Sequence, residues 1–353
     1  MRPIPSHLLR ALRRPLALVT VAAVAALAAC GSTPPASAPP AAPAAAGASS
    51  VPAIKVGIAL GGGAAKGFAH IGVIKMLEAN GYAPAVVSGT SAGSIVGALY
   101  ASGMNAFELQ EKAVALDEAR IRDLQLSASG LLVGQKLEDY VNEQVRQLPL
   151  ERLARPFVAV ATRLDDGQRT FFTRGNTGQA VRASSSVPGV FQPTVIGRYR
   201  FVDGGVVSPV PVDAARELGA DLVIAVDISS KARGPSGGGM LGTISQSIII
   251  MGQRLGQAEL ARADAVVRPQ VLDIAGTDFS QRANAILEGE RAALAAMPQI
   301  RERVAQMQAA RDEAARLARQ KAMQAQREAC LEQRSRLQKL AGLAGWDGAC
   351  GAP

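Results

Sequence analysis

Gly89-Thr90-Ser91-Ala92-Gly93, together with the segments on either side of it, is the most informative part of the sequence for the fold. It follows the apolar run Ala85-Val-Val87 and precedes Ser94-Ile-Val-Gly-Ala-Leu-Tyr100, a pattern that predicts a strand, a sharp turn and a helix. A Gly-x-Ser-x-Gly turn in this setting lifts a serine hydroxyl above a helix N-terminus, where it can attack a carbonyl carbon. The pentapeptide alone is weak evidence, since small residues are abundant in this chain. Its weight depends on the rest of the sequence.

The segments around this turn alternate between strand and helix patterns. Apolar runs of strand type occur at residues 54–60, 85–87, 157–164, 169–173, 198–202 and 221–227. Helical patterns occur at residues 68–80, 94–100, 105–118, 135–147, 178–185, 212–218 and 241–262. This alternation predicts an α/β layered fold with a mostly parallel sheet, and residues 157–173 predict one hairpin within it.

The N-terminus predicts a bacterial lipoprotein signal peptide. A positive segment with Arg13 and Arg14 precedes an apolar segment at residues 16–29, too short for a comfortable membrane span. Leu27-Ala-Ala-Cys30 resembles the cleavage site at which such a cysteine is lipidated. An ordinary secretory signal is the alternative. Because Gly31 follows Cys30, we expect a periplasm-facing protein of the cell envelope, anchored through Cys30, with the outer membrane favoured.

The charge indicates which kind of binding partner to expect, and the cysteine content bears on disulfide formation. The net charge is +9, and removal of residues 1–29, which carry four arginines and no acid, leaves +5. That charge suits an anionic membrane surface, whereas one Trp and four Tyr without a basic-aromatic pattern argue against nucleic acid. With Cys30 lipidated, Cys330 and Cys350 remain, and an oxidising periplasm predicts a disulfide between them. Two free thiols are the alternative.

A nucleophilic serine needs a base, and the histidine count restricts the choice. The chain has two histidines, and His7 lies in the signal peptide. His70 lies in a predicted helix, where a hydrogen bond within the fold is its commoner role. Asp203, in Phe201-Val-Asp-Gly-Gly205, is the better candidate base, although an aspartate before glycine is most often part of an Asx-turn. One histidine and two cysteines cannot supply a zinc site, so we expect neither metal nor cofactor.

After the nucleophile and the base, the third part of the predicted site is the run Gly61-Gly62-Gly63 between a strand and a helix. Consecutive glycines leave backbone N–H groups free to converge on an anion. A nucleotide phosphate loop is the alternative, but neither common phosphate-loop spacing is met. Stabilisation of an oxyanion is the better use, with the N–H of Ala92 as a further donor.

Together these blocks resemble the patatin-like phospholipase family. They are residues 61–73 (GGGAAKGFAHIGV), 89–93, 183–191 (ASSSVPGVF) and 203–205, in the family's order. The resemblance covers about residues 54–230. It implies a three-layer α/β fold with a mostly parallel central sheet, and hydrolysis of lipid acyl esters by a Ser–Asp dyad that lacks histidine.

The resemblance also assigns roles residue by residue. It makes Ser91 the nucleophile and Asp203 the proton acceptor, and it places Gly61, Gly62 and Gly63 at the oxyanion hole. Lys66 occupies a position where many members have arginine. Lysine keeps the positive charge but lacks the planar guanidinium group, which can donate two parallel hydrogen bonds. The remaining motif positions are Gly89, Gly93, Gly204 and Gly205.

The expected organisation has four parts. A signal peptide spans residues 1–29, a lipidated cysteine with an Ala/Pro-rich linker spans 30–52, a patatin-like domain spans 53–300, and a basic helical tail spans 301–353. Apolar residues from Leu294 to Met307 recur every three or four positions, which predicts a helix packed on the core and then solvated; membrane contact or self-association is the alternative. A non-catalytic envelope scaffold and an acyltransferase remain alternatives to hydrolysis. Head group, acyl preference and oligomeric state stay open.

Overall fold

The structure is a computed structural model that describes residues 51–121, 123–127, 130–231 and 239–341. Within these ranges the strands are β1 (Val56–Leu60), β2 (Val86–Thr90), β3 (Leu124–Ser127), β4 (Gly130–Leu132), β5 (Phe157–Arg163), β6 (Arg169–Phe172), β7 (Thr194–Ile196), β8 (Tyr199–Asp203), β9 (Leu222–Val226) and β10 (Ala265–Val267). The α-helices are α1 (Ala69–Ala79), α2 (Ala92–Ala101), α3 (Ala106–Val114), α4 (Gln135–Gln144), α5 (Thr177–Ser184), α6 (Val212–Glu217), α7 (Met240–Leu260) and α8 (Arg282–Ala341). Short 3-10 turns connect several of them, including Ala64–Phe68 before α1.

The central sheet of the described residues has eight strands, in the order β10-β9-β1-β2-β5-β8-β7, with β6 paired to β5. The neighbours from β10 to β5 are parallel, whereas β6, β8 and β7 join by antiparallel pairing. This confirms the prediction of an α/β fold with a mostly parallel sheet.

Helices cover both faces of the sheet. Successive side chains of a strand point to opposite faces, and in β1 Ile58 and Leu60 belong to the core cluster that includes α1, α2 and α8, while Ala59 packs with α6 residues such as Val212. Strands buried on both sides are continuous apolar runs, which is how β1 and β9 appear in the sequence. The result is the expected three-layer arrangement.

The long helix α8 is buried only in its first part. Ala285, Ala293 and Ile300 are fully buried against the core, whereas most side chains after Met307 are exposed. The start of α8 approaches α1 so closely that a Cβ on Gly72 would lie 2.0 Å from the Ile286 carbonyl oxygen. The helix is therefore packed and then solvated, as its apolar spacing predicts, and it passes through residue 300 without a break.

Several short elements were not predicted. The β3–β4 hairpin, β7 and β10 have three or four residues each, too few to show a period. The run Gly-Pro-Ser-Gly-Gly-Gly within residues 231–239 predicts a flexible loop near the active-site edge, and residues 232–238 lie outside the described residues. No helix within the described ranges is long and apolar enough to cross a bilayer.

The topology brings the predicted blocks to one edge of the sheet. β1 and β2 are adjacent and parallel, so the glycine run after Leu60 and the serine turn after Thr90 leave the sheet side by side. β8 runs antiparallel to β5 and ends at Asp203, opposite Ala161 of β5. Ligands of parallel α/β sheets bind at the carboxyl ends of the strands, and this is the edge where these blocks meet.

Candidate active site

Ser91 occupies the sharp turn between β2 and α2. Its backbone has φ 54° and ψ −125°, a conformation that side chains other than glycine rarely adopt. Such strain persists only where the surroundings impose it. A Cβ on Gly89 would lie 2.5 Å from the Gly93 carbonyl oxygen, and one on Gly93 would lie 2.1 Å from that of Leu60. The two glycines of the motif therefore permit the close packing that holds the serine in its turn.

The backbone of Ser91 is anchored by α5. The Ser91 N–H donates to Ser184 Oγ at 3.0 Å, and Ser184 Oγ donates to the Val160 carbonyl at 2.6 Å. Ser184 belongs to the block at residues 183–191, for which the sequence suggested a family motif but no role. The only sequence indication of a role for Ser184 was that a small polar residue lies in that block. That it binds the Ser91 N–H could not be identified without the fold.

Asp203 lies at the end of β8, held by its backbone and by one carboxylate oxygen. Its N–H donates to the Ser186 carbonyl at 2.9 Å, and Thr162 Oγ1 donates to its carbonyl at 2.9 Å. Oδ1 accepts the Gly205 N–H at 2.7 Å. This is the Asx-turn that Asp-Gly predicts, and it leaves Oδ2 for another use.

That second oxygen is buried, and the carboxyl interacts with the Ser91 side chain. Oδ2 of Asp203 is buried and accepts no hydrogen bond from the described residues, while the nearby Ser91 hydroxyl interacts with the carboxyl and lowers its pKa. Burial has the larger, opposite effect and raises the pKa of Asp203 from 3.8 to about 6. Ser91 is 8% exposed and Asp203 6% exposed. The structure thus brings a strained serine and a buried carboxyl of raised basicity together.

Two glycines follow Asp203, and their small size is required. A Cβ on Gly204 would lie 2.1 Å from the Val160 carbonyl oxygen of β5. At Gly205 a Cβ would lie 3.0 Å from Oδ1 of Asp203 itself. The Asp-Gly-Gly sequence thereby allows the turn to pack against β5 without displacing the carboxylate.

The glycine run after β1 lies beside Ser91, but its N–H groups are not all free. A Cβ on Gly62 would lie 3.3 Å from Ser91 Cβ. Gly61 N–H donates to the Val226 carbonyl at 3.1 Å, and Gly62 N–H donates to the Pro209 carbonyl at 3.0 Å. The prediction of three glycine donors is corrected, because the first two hold the loop to its neighbours. Among the described residues, the N–H groups of Gly63 and Ala92 have no acceptor.

His70 and Lys66 support this loop. His70 is fully buried, and its Nε2–H donates to the Gly61 carbonyl at 2.8 Å. Burial lowers the pKa of His70 to about 4, so the ring is neutral near pH 7. Lys66 is also buried, and its Nζ donates to Ser230 Oγ at 2.8 Å. His70 therefore bonds within the fold, as its helical position suggested, and Lys66 ties the loop to the segment after β9.

The other predicted residues lie largely outside this site. Within the described ranges no group of three or more His, Cys, Asp or Glu side chains is placed to hold a metal ion. Cys330 lies on α8 and is disulfide-bonded. Cys30 and Cys350 are outside the described residues, so the lipidation and the pairing of Cys330 with Cys350 stay predictions.

The fold and the site define an α/β protein whose serine sits in a nucleophile elbow beside a buried aspartate. Residues 58–216 match the sequence model of the family described as patatin-like phospholipase. This region of the chain belongs to the patatin-like phospholipase family. The match contains the glycine run, Ser91 and Asp203.

Relatives share this region. An uncharacterized NTE family protein of Mycobacterium tuberculosis is 37% identical over 184 residues, which cover 52% of this chain and 51% of the relative. Lysophospholipase NTE1 of Pyricularia oryzae is 32% identical over 181 residues, which cover 50% of this chain and 12% of that protein. The chain thus spans about half the length, or much less, of these curated relatives. The structure of VipD from Legionella pneumophila aligns with a TM-score of 0.48 and 15% identity, covering 70% of this chain and 67% of that one.

Proposed function

We propose that this protein is a serine hydrolase of lipid acyl esters, with Ser91 as nucleophile and Asp203 as the base. The observation that carries the proposal is the pairing of a serine in a strained backbone turn with a buried carboxyl whose Oδ2 has no other described partner. The family to which residues 58–216 belong and the similarity to lysophospholipase NTE1 of Pyricularia oryzae support a lipid ester as substrate.

The proposed reaction has two halves. Asp203 Oδ2 accepts the Ser91 hydroxyl proton as Ser91 Oγ bonds to the ester carbonyl carbon, and the leaving alcohol departs with that proton. A water then gives a proton to Asp203 and attacks the acyl carbonyl carbon; the bond to Ser91 Oγ breaks, Asp203 returns the proton to Ser91 Oγ, and the fatty acid leaves. With a pKa of about 6, Asp203 is mostly ionised at pH 7 and yet more basic than an ordinary aspartate, as this role requires.

The negative charge that develops on the carbonyl oxygen needs donors. The N–H groups of Gly63 and Ala92 supply them in this proposal. Ala92 follows Ser91, Gly63 follows Gly62, which lies beside Ser91, and neither N–H donates to a described acceptor. Removing one such donor costs about 100-fold or more in rate in serine hydrolases. Gly61, Gly62 and His70 contribute by holding the loop in place.

The test uses purified protein and two substrates, a soluble p-nitrophenyl butyrate and phospholipid vesicles. We expect Ser91→Ala and Asp203→Asn to lose at least ~1,000-fold in kcat on both. Ser102→Ala is the matched control, because its hydroxyl bonds to the Leu99 carbonyl at the far end of α2. A fluorophosphonate probe should label the wild type and not Ser91→Ala.

The outcomes separate the alternatives. Full activity of folded Ser91→Ala or Asp203→Asn refutes the dyad. A folded wild type that neither turns over ester nor reacts with the probe favours a non-catalytic scaffold. Labelling of Ser91, with the acyl group recovered as a new ester of an added acceptor alcohol and no fatty acid released to water, would identify an acyltransferase.

We also propose that the mature chain is a lipoprotein of the bacterial envelope, anchored through Cys30 and facing the periplasm. The support is the positive and apolar signal pattern that ends at Leu27-Ala-Ala-Cys30, with Gly31 favouring the outer membrane. The linker at residues 31–52 is almost entirely small residues and proline, a composition typical of an extended spacer. Mass spectrometry of membrane-extracted protein checks this, and an unmodified Cys30 would refute it.

A further inference from the structure

One short segment, residues 208–210, contacts all three parts of the candidate active site. Thr90 Oγ1, next to the nucleophile, donates to the Ser208 carbonyl at 2.8 Å. Ser208 N–H donates to the Gly204 carbonyl, next to the base, at 2.8 Å. Gly62 N–H, in the glycine run, donates to the Pro209 carbonyl at 3.0 Å. The position of this segment therefore affects the relative positions of Ser91, Asp203 and the glycine loop.

A buried carboxylate also holds the 208–210 segment. Glu259 of α7 is 4% exposed; its Oε1 accepts a hydrogen bond from Ser208 Oγ, and its Oε2 accepts the Val210 N–H at 2.8 Å. Arg169 of β6 is a charged neighbour of Glu259: its Nη1 lies 3.9 Å from Oε1, too far for a hydrogen bond. A buried carboxylate is costly unless it is well hydrogen-bonded, and here both of its oxygens accept from one segment.

We propose that Glu259 is a positioning residue, which sets the geometry of the Ser91–Asp203 pair by holding residues 208–210 against Thr90, Gly204 and Gly62. The expected effect on kcat rests on the proposed function. The effect on the position of residues 208–210 rests on the hydrogen bonds alone. Glu259 contacts neither Ser91 nor Asp203 and acts through the segment. It also couples α7 to the site.

The protonation state of Glu259 changes this contact. Burial raises the pKa of Glu259 to about 7, with Asp213 acting in the same direction and the Ser208 hydroxyl, the Val210 N–H and Arg169 acting against it. Arg262, two residues after the end of α7, interacts electrostatically with Glu259, and its Nε donates to Asp213 Oδ1 at 2.7 Å. A protonated carboxyl has one oxygen that donates, so it cannot accept from both Ser208 and Val210 as the carboxylate does. Glu259→Gln imitates that state at every pH.

The experiment compares Glu259→Ala, Glu259→Gln and the control Asp264→Asn in the full protein. Asp264 is a matched carboxylate, because Oδ2 accepts the Val223 N–H at 2.7 Å and pairs with Arg216, at the end of β9 away from the glycine loop. Each variant is assayed for kcat and KM on p-nitrophenyl butyrate from pH 5 to 9, and for amide hydrogen exchange in peptides that cover residues 88–95 and 201–210.

We expect Glu259→Ala to lower kcat about 100-fold at pH 8, the cost of a misplacement of about 1 Å, with KM for this small ester little changed. Glu259→Gln keeps one accepting oxygen, so its loss should be roughly tenfold, a partial rescue relative to alanine. The acid limb of the wild type should contain two protonations and that of Glu259→Gln only one. Amide exchange should accelerate in both peptides for Glu259→Ala and stay unchanged for Asp264→Asn.

Wild-type kcat and exchange rates in both Glu259 variants would overturn the inference, as would equal losses in Glu259→Ala and Asp264→Asn. Accelerated exchange in a protein that turns over no ester would support the positioning role and refute the proposed function. The two failures are therefore distinguishable.

Discussion

Replacing Asp203 by Asn should make the protein more stable while removing its activity. Burial raises the pKa of Asp203 from 3.8 to about 6, so the folded state holds its proton more tightly than the unfolded chain does. The stability cost of ionising this carboxyl is absent below about pH 3.8 and complete above about pH 6. At 1.36 kcal/mol for each pH unit, the full cost is about 3 kcal/mol.

Asparagine preserves the local contacts that matter for this comparison. Its Oδ1 can still accept the Gly205 N–H, which Asp203 Oδ1 accepts at 2.7 Å. Its Nδ2 replaces the buried Oδ2 and can donate to the Ser91 hydroxyl. The substitution therefore removes the buried charge and little else. At pH 8 we expect a gain of up to about 3 kcal/mol in the free energy of unfolding, which falls to about 1.5 kcal/mol at pH 5.

The assay is urea unfolding of wild type and Asp203→Asn at pH 5 and pH 8, followed by circular dichroism. Asp213→Asn is the control, because the pKa of Asp213 is lowered. The hydrogen bond from Arg262 lowers it most, Arg169 acts in the same direction, and partial burial raises it by less. That carboxyl stays ionised in both states from pH 5 to 8, so its substitution should cost stability equally at both pH values. A loss of stability in Asp203→Asn at pH 8, or a gain that is the same at both pH values, would contradict a raised pKa of Asp203 in the folded protein. The activity of the wild type should also rise with pH through about 6, as Asp203 ionises.

Three further predictions concern the elbow and its loop. Ser91→Gly should be more stable than Ser91→Ala by about 1 kcal/mol in thermal unfolding, because glycine tolerates φ 54° and the Ser91 side chain makes no helix-cap hydrogen bond; equal stability would show that the turn is unstrained. His70→Gln should keep kcat within about tenfold of wild type, since an amide can replace the neutral Nε2–H that bonds to Gly61, and a loss as large as that of Ser91→Ala would assign His70 to the chemistry. Gly93→Ala should lose ~3 kcal/mol or more in urea unfolding because its Cβ would meet the Leu60 carbonyl oxygen at 2.1 Å, whereas Gly256→Ala on α7, with its nearest neighbour at 3.5 Å, should be neutral or stabilising, and tolerance of both would contradict the packing.

Much of the fold could be predicted because its signals are local. The apolar runs of β1 and β9 are strands buried on both faces, and the bounds of the β5–β6 hairpin match the alternation around Asp165-Asp-Gly167 closely. Strands β7 and β10, with three residues each, depend on pairing with β8 and β9, so the sequence pattern carries no signal for them.

The candidate site could be predicted in part for the same reason. The elbow at Ser91 and the turn at Asp203 are written in short motifs. The acceptor of each backbone N–H could not be predicted from such motifs. Gly61 and Gly62 donate to Val226 and Pro209, which lie far away in the sequence. A count of glycines therefore overestimated the donors that remain available.

Sequence patterns alone predicted most of the longer strands and helices, a serine at a strand-to-helix turn, and an aspartate as a better candidate base than His70. These follow from residue type and spacing over a few positions. The packed structure was needed to show that the Asp203 carboxyl is buried and interacts with Ser91. It was also needed to show that Gly63 and Ala92 have no acceptor among the described residues and that Glu259 holds residues 208–210. The physical reason is that burial, pKa and hydrogen-bond pairing depend on which distant segments meet, and only the packed chain defines those contacts.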